Sequence, residues 1–481
     1  MLMKRFFLYI LLILTILKIQ VLTVGCANII PPEGGYKDSV PPLLVKASPA
    51  DSSKNFQNNR ITLTFNEFVD LQNIHENLII SPIPNHEPDV NSKFRTITIK
   101  LKDTLEPNTT YSINFGNAIK DINEGNVSKN FTYIFSTGSS FDSLSLAGKV
   151  TLAENGKTDT TLIVMLHKNG DDSAIVKENP RYITRLDRNG NFTFRNLPPG
   201  TFYVYALKEE GGGHRYLSSK QLFAFADKPV TLQAVNEPVN LYAYTEKETT
   251  PLPQINLRPR GPGNSAERRL RLTTNTVSGS LDLLSDFIIN FDQPLKKLDS
   301  SLIHFSRDSA FIPVSGYRTF TDSTNKKLSL QYTWKENTLY HVIVEKDFAE
   351  DSSGRKLLKT DTLSFKTKKL SEYGSLRIRF KNFDPSVNPV LLFVQNDVIA
   401  KSLPLNSAEI KLPVFLPGEY ELRILNDRNK NGKWDTGEFF GKHIQPEIVI
   451  PIVSRPRITV KANWENEFDI EAPSNSPKGG G

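Results

Sequence analysis

Short stretches in which apolar and polar residues alternate dominate the chain from Pro42 onward. Arg60 to Asn66 alternates in this way, as do Thr96 to Leu101 and Thr110 to Phe115, and turn residues separate such stretches. A repeat of two residues is the period of a β-strand that buries one face. Helical periodicity is nearly absent, so the pattern predicts an all-β protein built from antiparallel sheets.

The first of these stretches belong to one kind of unit. Its strand Ile61 to Phe65 runs into Asn66-Glu67, a turn at Asp121 to Gly125 comes later, and a closing strand covers Phe131 to Ser136. These motifs resemble the S-layer-type (SbsA-type) bacterial Ig-like domain over roughly Pro42 to Gly138. The resemblance implies a β-sandwich.

A second kind of unit begins near Leu146. Its strand Thr161 to His167 is followed by Asn189-Gly190, which we interpret as the turn of a hairpin because both residues tolerate positive φ. Leu197 to Gly200 forms another tight turn that leads into a strand. This unit resembles the prealbumin-like, or carboxypeptidase-regulatory-like, module and spans Ser145 to about Thr245. The resemblance implies a seven-stranded sandwich.

Both patterns return after a linker rich in proline, glycine and arginine. Matching motifs recur at nearly constant offsets of 226, 230 and 218 residues in the pairs Phe65 and Phe291, Phe135 and Phe365, and Gly200 and Gly418. A near-constant offset across unlike motifs indicates that a two-domain unit was duplicated.

The predicted fold is therefore all-β, with four tandem β-sandwich domains in the order Ig-like, prealbumin-like, Ig-like, prealbumin-like. The predicted boundaries are 1–25 for a signal peptide, 26–42 for a lipidated flexible tether, 43–142 for the first Ig-like domain, 143–245 for the first prealbumin-like domain, 246–268 for the linker, 269–370 and 371–472 for the second pair, and 473–481 for a disordered tail.

The N-terminus has the pattern of a secretory signal. Lys4 and Arg5 precede the apolar run Phe6 to Leu17, which is too short to span a bilayer. The stretch Leu22 to Asn28, with Cys26 after two small residues, resembles a bacterial lipobox. That resemblance implies that Cys26 is diacylated and becomes the first residue of the mature chain. The alternatives are an uncleaved anchor helix and a plain secretory signal with Cys26 as a buried thiol.

Residues 26–42 are rich in proline and glycine, which favours a solvated tether. Together with the Ig-like motifs, this segment resembles outer-membrane lipoproteins of the Bacteroidota. In that group an acidic run after the cysteine marks export to the cell surface. No acidic pair follows Cys26 here, so we expect a lipid anchor in the outer membrane on its periplasmic face.

Composition narrows the function. The single cysteine among 481 residues excludes a disulfide framework, so the domains depend on their hydrophobic cores. The formal net charge of +7 falls by three if Lys4, Arg5 and Lys18 leave with the signal peptide. Such a small excess does not favour nucleic acid as a partner.

One stretch has the spacing of a calcium-binding loop. Residues 427–438 carry oxygen ligands at positions one, three, five, nine and twelve, Gly432 at position six and a backbone carbonyl at position seven. The predicted ligands are Asp427, Asn429, Asn431, Lys433 through its carbonyl, Asp435 and Glu438. The alternative is a rigid hairpin rich in Asn and Gly, with Trp434 packed over the edge of the sandwich. The matching place in the first copy, Glu209 to Tyr216, lacks the oxygen spacing.

Catalytic motifs are not found. The seven histidines are scattered, without an HExxH pair, and no Gly-x-Ser-x-Gly elbow or glycine-rich phosphate loop is present. His167 and His341 lie in strand patterns, where packing is the commoner role. We therefore expect a protein that is not an enzyme.

The favoured hypothesis is a lipid-anchored interaction or spacer scaffold of the cell envelope, with envelope proteins as partners. One alternative is a protein that binds carbohydrate or another polymer through exposed aromatic residues, for which the candidates are Tyr216, Trp434, Phe439 and Phe440. Another alternative is an accessory subunit of an envelope transport or peptidase complex.

Overall fold

The computed structural model describes residues 8–15, 38–211, 213–246 and 269–473. Cys26, most of the predicted tether and linker, and nearly all of the predicted tail lie outside this part of the chain. The described residues are nearly all β, which confirms the predicted fold class. Within these ranges, helix is confined to residues 8–15, two four-residue helices, Ile74–Asn77 and Ala174–Lys177, and short 3-10 turns. None of the described helices has the length and apolar character needed to cross a membrane.

The chain forms two units, one up to Phe141 and one from Asp142 onward. The strands of the first unit make up domain 1. The second unit contains three further groups of strands, which we call domains 2, 3 and 4 in chain order.

Domain 1 contains a sheet of order β1-β2-β6-β5, a second sheet β4-β7-β9 and the pair β3-β8. Its core includes Ile61, Leu63 and Phe65 from alternate positions of β2. The strands are β1 Leu44–Ser48, β2 Arg60–Phe65, β3 Val69–Leu71, β4 Ile79–Ser81, β5 Asp89–Lys93, β6 Thr96–Lys100, β7 Thr110–Asn114, β8 Ile119–Asp121 and β9 Thr132–Ser136.

Domain 2 packs the sheet β13-β10-β17 against the sheet β12-β11-β14-β15, with β16 also paired to β14. Strands β10 and β17 run parallel, whereas the other pairs are antiparallel. The strands are β10 Leu144–Leu152, β11 Leu162–His167, β12 Tyr182–Arg185, β13 Asn191–Leu197, β14 Thr201–Lys208, β15 Phe223–Phe225, β16 Val230–Thr231 and β17 Val239–Ala243.

Domain 3 repeats the arrangement of domain 1 with the sheets β18-β20-β25-β24 and β19-β28-β26-β22-β23 and the pair β21-β27. The strands are β18 Leu272–Thr274, β19 Ser280–Leu281, β20 Phe287–Phe291, β21 Leu295–Leu298, β22 Ile303–Arg307, β23 Ile312–Pro313, β24 Arg318–Thr321, β25 Lys327–Gln331, β26 Leu339–Val344, β27 Ala349–Asp351 and β28 Asp361–Thr367.

Domain 4 repeats domain 2 strand for strand, with the sheet β32-β29-β36, the sheet β31-β30-β33-β34, and β35 paired to β33. Here β29 and β36 are the parallel pair. The strands are β29 Gly374–Lys381, β30 Pro389–Gln395, β31 Val398–Pro404, β32 Glu409–Phe415, β33 Gly418–Asn426, β34 Ile448–Pro451, β35 Arg457–Val460 and β36 Glu465–Glu471.

Individual residues show the same repetition. The hydroxyl of Tyr111 accepts a hydrogen bond from the backbone N–H of Glu106, and that of Tyr340 accepts one from Lys335. Gly200 and Gly418 have φ values of 154° and 155°. Gly200 directly precedes β14, and Gly418 is the first residue of β33, the corresponding strand of domain 4. The turn chemistry that suggested a duplication in the sequence is thus accompanied by matched strand order.

The predicted hairpin at Asn189-Gly190 is wrong. Gly190 does have a positive φ of 81°, and Asp187 accepts hydrogen bonds from the N–H groups of Asn189 and Asn191. However, β12 pairs with β11 and β13 pairs with β10, so this turn carries the chain from one sheet to the other. Turn residues determine that the chain reverses, but the partner of each strand depends on the sheets already present.

Domain 1 depends on an aromatic cluster around Phe135. Its side chain is fully buried, stacks on Tyr111 at 5.2 Å between ring centroids and contacts Phe56 at 4.0 Å. We expect Phe135→Ala to destabilise domain 1 by about 3–5 kcal/mol, because it leaves a cavity among these rings. Hydrogen exchange of the β7 and β9 amides measures this loss. Val45→Ala, which alters a side chain 66% exposed on β1, is the control, and equal exchange in both variants would contradict the assignment.

Candidate functional site

The segment 427–447, which we call the docking loop, connects β33 to β34 in domain 4. Its first half contains the predicted calcium motif. Its second half reaches domain 2 and contacts the sheet that contains β14 and β15. The docking loop therefore combines the sharpest sequence motif of the chain with a contact between two domains.

Phe439 is the centre of that contact. Its side chain is only 3% exposed, and its ring centroid lies 5.8 Å from that of Tyr205 and 5.1 Å from those of Phe223 and Phe225. All three partners belong to domain 2. Burying one phenylalanine in this way contributes about 1.5–3 kcal/mol. The neighbouring Phe440 stacks on Tyr216 with 5.8 Å between the ring centroids.

Polar groups surround the aromatic contact. The carboxylate of Asp172 in domain 2 accepts a hydrogen bond from the N–H of Gly441 at 2.9 Å and pairs with Nε2 of His443 at 2.6 Å. The side-chain amide of Gln445 donates to the carbonyl of Phe225 at 2.9 Å. These bonds fix the direction in which the loop enters domain 2.

The hydrogen bonds at this contact favour the ionised form of the Asp172 carboxylate. Burial raises the pKa of Asp172, but the hydrogen bonds from Gly441 and His443 outweigh it and hold that pKa below its usual value. Burial, with a smaller contribution from the negative charge of Asp172, raises the pKa of Tyr205 to about 12. Asp172 therefore carries its charge, and Tyr205 stays neutral, at physiological pH.

Strands β11 and β30 are buried on both faces of their sheets. All six residues of β11 are buried, and so are the first six residues of β30. In β30, Leu391 and Phe393 face the main core of domain 4, whereas Val390, Leu392 and Val394 join a second cluster with Val449.

The outer cluster lies near domain 2. The N–H of Val449 donates to the carbonyl of Ala153 at 2.8 Å, and the ammonium of Lys157 pairs with Asp397 at 2.5 Å. A side chain added at Gly156 would clash with Pro451, so glycine permits this close approach. Residues 153–157 of domain 2 thus contact β34 and the turn between β30 and β31 of domain 4.

A small cleft remains beside the Asp172–His443 pair. Its volume is about 120 Å³, and Tyr203, Asp227 and Lys228 also line it. Pockets for organic ligands are usually roughly 300–1,000 Å³. The cleft is therefore a gap at a domain contact rather than a built binding site for a ligand of that size.

The structure brings most of the predicted calcium ligands together. Asp427, which is 2% exposed, accepts hydrogen bonds from the N–H groups of Asn431 at 3.2 Å and Gly432 at 2.7 Å. The amides of Asn429 and Asn431 both donate to the same oxygen of Asp435, at 2.6 and 2.5 Å. Rotating either amide by 180° would place its oxygen where its nitrogen lies, and so would present an oxygen to a cation.

The last predicted ligand, Glu438, lies in a different setting. Its side chain is 49% exposed, and its carboxylate pairs with Lys442 at 2.8 Å. A different carboxylate, that of Glu447, is buried at the loop and accepts the N–H groups of Arg428 at 2.8 Å and Asp435 at 3.1 Å. Glu447 therefore fits better than Glu438 as the last ligand of the loop, because its carboxylate lies beside Arg428 and Asp435, close to the other predicted ligands.

Within the described ranges, no group of three or more His, Cys, Asp or Glu side chains has the geometry to hold a metal ion. The predicted ligand set of the loop also includes oxygens of other kinds, namely the amide oxygens of Asn429 and Asn431 and the carbonyl of Lys433. The two interpretations of the loop, a calcium site and a hairpin closed by its own hydrogen bonds, therefore both remain, and calcium stays a prediction.

The aromatic candidates for polymer binding are mostly not exposed, contrary to the expectation. Tyr216 and Phe439 are each 3% exposed, because the docking loop and domain 2 cover one another. Trp434 is partly buried against Leu425 and Val449, and its Nε1 donates to the carbonyl of Glu447 at 2.7 Å. Only Phe440, at 42%, remains accessible.

The other candidates lie apart from the loop or outside the described residues. His341 is buried, with its Nδ1 2.8 Å from the hydroxyl of Ser364. His167 is buried beside Tyr205, and burial lowers its pKa to about 4, so it is neutral at physiological pH. Cys26, the predicted lipidation site, lies outside the described part of the chain, and its lipidation stays a prediction.

Sequence reasoning missed Asp172, Phe225, His443 and Glu447. One signal was available, because Leu162 to Leu166 and Val390 to Val394 are continuous apolar runs in which the period of two is lost. Such runs are typical of strands buried on both faces and indicate that something covers the outer sheet. They do not indicate which partner covers it.

Residues 38–137 match the family model of the bacterial Ig-like domain. This match confirms the resemblance of the first domain to bacterial Ig-like domains. The comparison with curated proteins finds no match.

Solved structures give distant similarities. One is native alpha-2-macroglobulin from Escherichia coli, domains MG0-NIE-MG1, at 14% identity over 38% of this chain and 70% of that chain, with a TM-score of 0.19. Another is BcpA, the major pilin subunit of Bacillus cereus, at 10% identity over 68% and 98%, with a TM-score of 0.16. The N-terminal part of the bacterial S-layer protein SbsC matches at 16% identity over 42% and 44%, with a TM-score of 0.16. Similarities at this level carry no argument about the function of this chain.

Phe439→Ser should loosen the docking loop, because it removes the ring that domain 2 encloses. The loss of about 3 kcal/mol corresponds to a fall of roughly 100-fold in the hydrogen-exchange protection of the Val449 amide. Phe320→Ser, which alters a side chain 49% exposed on β24, is the matched control. Unchanged protection in Phe439→Ser would show that the aromatic contact does not hold the two domains together.

Calorimetric titration of the full chain with calcium separates the two interpretations of the loop. If the loop binds calcium, Glu447→Gln should abolish the heat of binding, because it removes a buried carboxylate from the ligand set. Glu438→Gln is the control and should leave binding within about threefold, because that side chain points to Lys442 and solvent. A wild-type trace without heat would favour the hydrogen-bonded hairpin.

Proposed function

We propose that this protein is a lipid-anchored, non-enzymatic scaffold of the bacterial cell envelope, held through Cys26 on the periplasmic face of the outer membrane. The observation that carries the proposal is that the docking loop contacts domain 2. Its aromatic and ionisable side chains, Phe439 and His443 above all, are engaged with domain 2. Residues that would otherwise suit a ligand or a reaction instead hold two sandwiches together.

Holding domains 2 and 4 in contact suits a scaffold. A chain of sandwiches joined only by linkers would present its surfaces in many relative orientations, and ordering them would cost free energy when a partner binds. The contacts from Phe439, Asp172 and Val449 order this part of the chain beforehand. Partner proteins of the envelope would then meet a surface that is already arranged.

The N-terminal sequence supports the anchor. Cys26 follows Val24-Gly25 and an apolar run preceded by Lys4 and Arg5. Two or three acyl chains, at about 0.8 kcal/mol per buried CH₂, hold a protein at a membrane firmly, whereas one chain does so only marginally. A protein attached in this way carries its folded domains outside the bilayer.

The polymer-binding alternative is weaker than the scaffold, because Tyr216 and Phe439 are buried in the contact between domains 2 and 4. The accessory-subunit alternative differs from a spacer in requiring a stoichiometric partner. Crosslinking in intact membranes followed by a pull-down measures that difference.

Metabolic labelling with a clickable palmitate tests the anchor. The wild-type protein should become labelled and sediment with membranes, because the Cys26 thiol accepts the lipid, and Cys26→Ala should lose the label entirely. Cys26→Ser is a second control that keeps the size of the side chain. Equal labelling of wild type and Cys26→Ala would contradict lipidation at this residue.

A further inference from the structure

Three apolar side chains are exposed together at one end of domain 1. Phe68 is 43% exposed, Phe94 67% and Ile122 58%. They lie on three turns joined by backbone hydrogen bonds, from Val69 N–H to the carbonyl of Phe94 at 2.9 Å and from Ile122 N–H to that of Phe68 at 3.1 Å. The two phenylalanine ring centroids are 6.1 Å apart. We call these three residues the apolar tip.

Basic side chains lie on the rings of the apolar tip. The guanidinium of Arg95 lies 5.3 Å from the ring centroid of Phe68, and the ammonium of Lys93 lies 5.8 Å from that of Phe94. Acidic Asp121, next to Ile122, is turned inward instead: it is 3% exposed and accepts the N–H groups of Glu124, Gly125 and Asn126. Asp70 contacts Ser92 at 3.5 Å on the adjoining strands. Two cations thus lie over the rings of the apolar tip. Carboxylates lie at this end as well, because burial and the charges of Asp121, Asp38 and Glu124 raise the pKa of Glu67, the residue before Phe68.

Phe94 occupies a strained backbone position. It is the first residue of the two-residue turn between β5 and β6, and its φ is +56°. Glycine or asparagine is usual at positive φ, and a bulky aromatic residue there is an outlier. Because the side chain is mostly exposed, packing within domain 1 does not explain the choice of residue.

Domain 3 provides an internal comparison for each position of the tip. Leu295 N–H bonds the carbonyl of Asn325, and Ser352 N–H bonds that of Pro294, which repeats the two bonds of domain 1. Asn325 has a φ of +53°, nearly that of Phe94. Where domain 1 has Phe68, Phe94 and Ile122, domain 3 has Pro294, Asn325 and Ser352. Positions with matching backbone hydrogen bonds therefore carry two phenylalanines and an isoleucine in domain 1 but none of these large apolar residues in domain 3.

The N-terminal segment enters domain 1 at this same end. The side-chain amide of Asn126, in the turn that follows Ile122, donates to the carbonyls of Asp38 at 3.0 Å and Val40 at 3.3 Å. Val40 and Leu43 are themselves 50% and 56% exposed. Eleven residues separate Cys26 from Asp38. A chain of that length spans at most about 40 Å, so a lipid on Cys26 keeps this end of the domain close to the bilayer.

We propose that Phe68, Phe94 and Ile122 form a second membrane contact, which inserts into the interfacial region of the bilayer and orients domain 1 on it. This inference rests on the proposed anchor at Cys26. Amphipathic surfaces bind this region by burying apolar side chains about 5–10 Å deep and placing cations at the lipid phosphates. Lys93 and Arg95, whose charged groups lie over the rings of Phe94 and Phe68, would supply these cations, since long basic side chains can keep an apolar stem at the interface and a charged end in water.

The test places a reporter at the tip and at its counterpart. The lipidated full chain is reconstituted into vesicles of phosphatidylethanolamine and phosphatidylglycerol with brominated acyl chains, which quench tryptophan at short range. Phe94→Trp should lose roughly half of its added fluorescence, because the ring lies in the acyl boundary. Asn325→Trp, at the matching position of domain 3, should lose none. Equal quenching of the two variants, or no quenching of either, would overturn the proposal.

A second measurement, tryptic cleavage, distinguishes a membrane contact from misfolding and from a contact with a protein. In vesicles, tryptic cleavage after Lys93 and Arg95 should be several-fold slower than after Lys326, the domain 3 counterpart of Arg95. The variant with Phe68→Ser, Phe94→Asn and Ile122→Ser should restore cleavage, and it should fold because all three side chains are exposed. Protection that persists in this variant, or that needs a high protein concentration instead of lipid, would overturn a membrane contact and indicate a protein partner or a second copy.

The proposed lipid anchor and the proposed apolar tip can be contradicted independently of each other. Palmitate on Cys26 without quenching at position 94 would remove the tip and leave the anchor. Quenching at position 94 without palmitate would remove the anchor and leave a membrane contact made by the tip alone.

Discussion

Burial of β11 and β30 on both faces is the constraint on which the second unit depends. A strand in a sandwich usually gives one face to the core and the other to water, but these two strands are apolar at almost every position. Leaving the outer faces in water would sacrifice about 25 cal/mol for each Å² of apolar surface. In domain 4 the outer face of β30 packs with Leu425, Val449 and Trp434 of the docking loop. The same loop contacts domain 2 through Phe439, although domain 3 lies between the two domains in the chain.

The docking loop makes that packing specific. Apolar faces by themselves permit many relative positions, because the hydrophobic effect has no direction. Phe439 fills a space bounded by Tyr205, Phe223 and Phe225, and Asp172 accepts two hydrogen bonds from the loop. The docking loop connects the same two strands in domain 4 that residues 209–222 connect in domain 2. Of these two equivalent connections, the one in domain 4 reaches across to the other domain.

The two Ig-like copies have diverged in an equally local way. Their backbones keep the same hydrogen bonds at the turn before β6 and β25, and the same positive φ. The side chains differ, with Phe94 in one copy and Asn325 in the other. Duplication preserves the positions that determine strand pairing, whereas exposed turn positions are free to change, and it is there that copy-specific functions are expected.

The alternation of apolar and polar residues was sufficient to predict the all-β fold, and the recurring motifs were sufficient to predict the repetition of its two kinds of unit. These features are local, since the period of a strand and the chemistry of a turn depend on residues close together in the chain. The partner of each strand at Gly190, the burial of Tyr216 and Phe439, and the pairing of Asp172 with His443 across 271 positions of the chain required the folded structure. So did the placement of Glu447, instead of Glu438, beside Asp435. Each of these depends on which residues distant in the chain come to lie beside it, and that is decided only when the strands assemble into sheets and the docking loop meets domain 2.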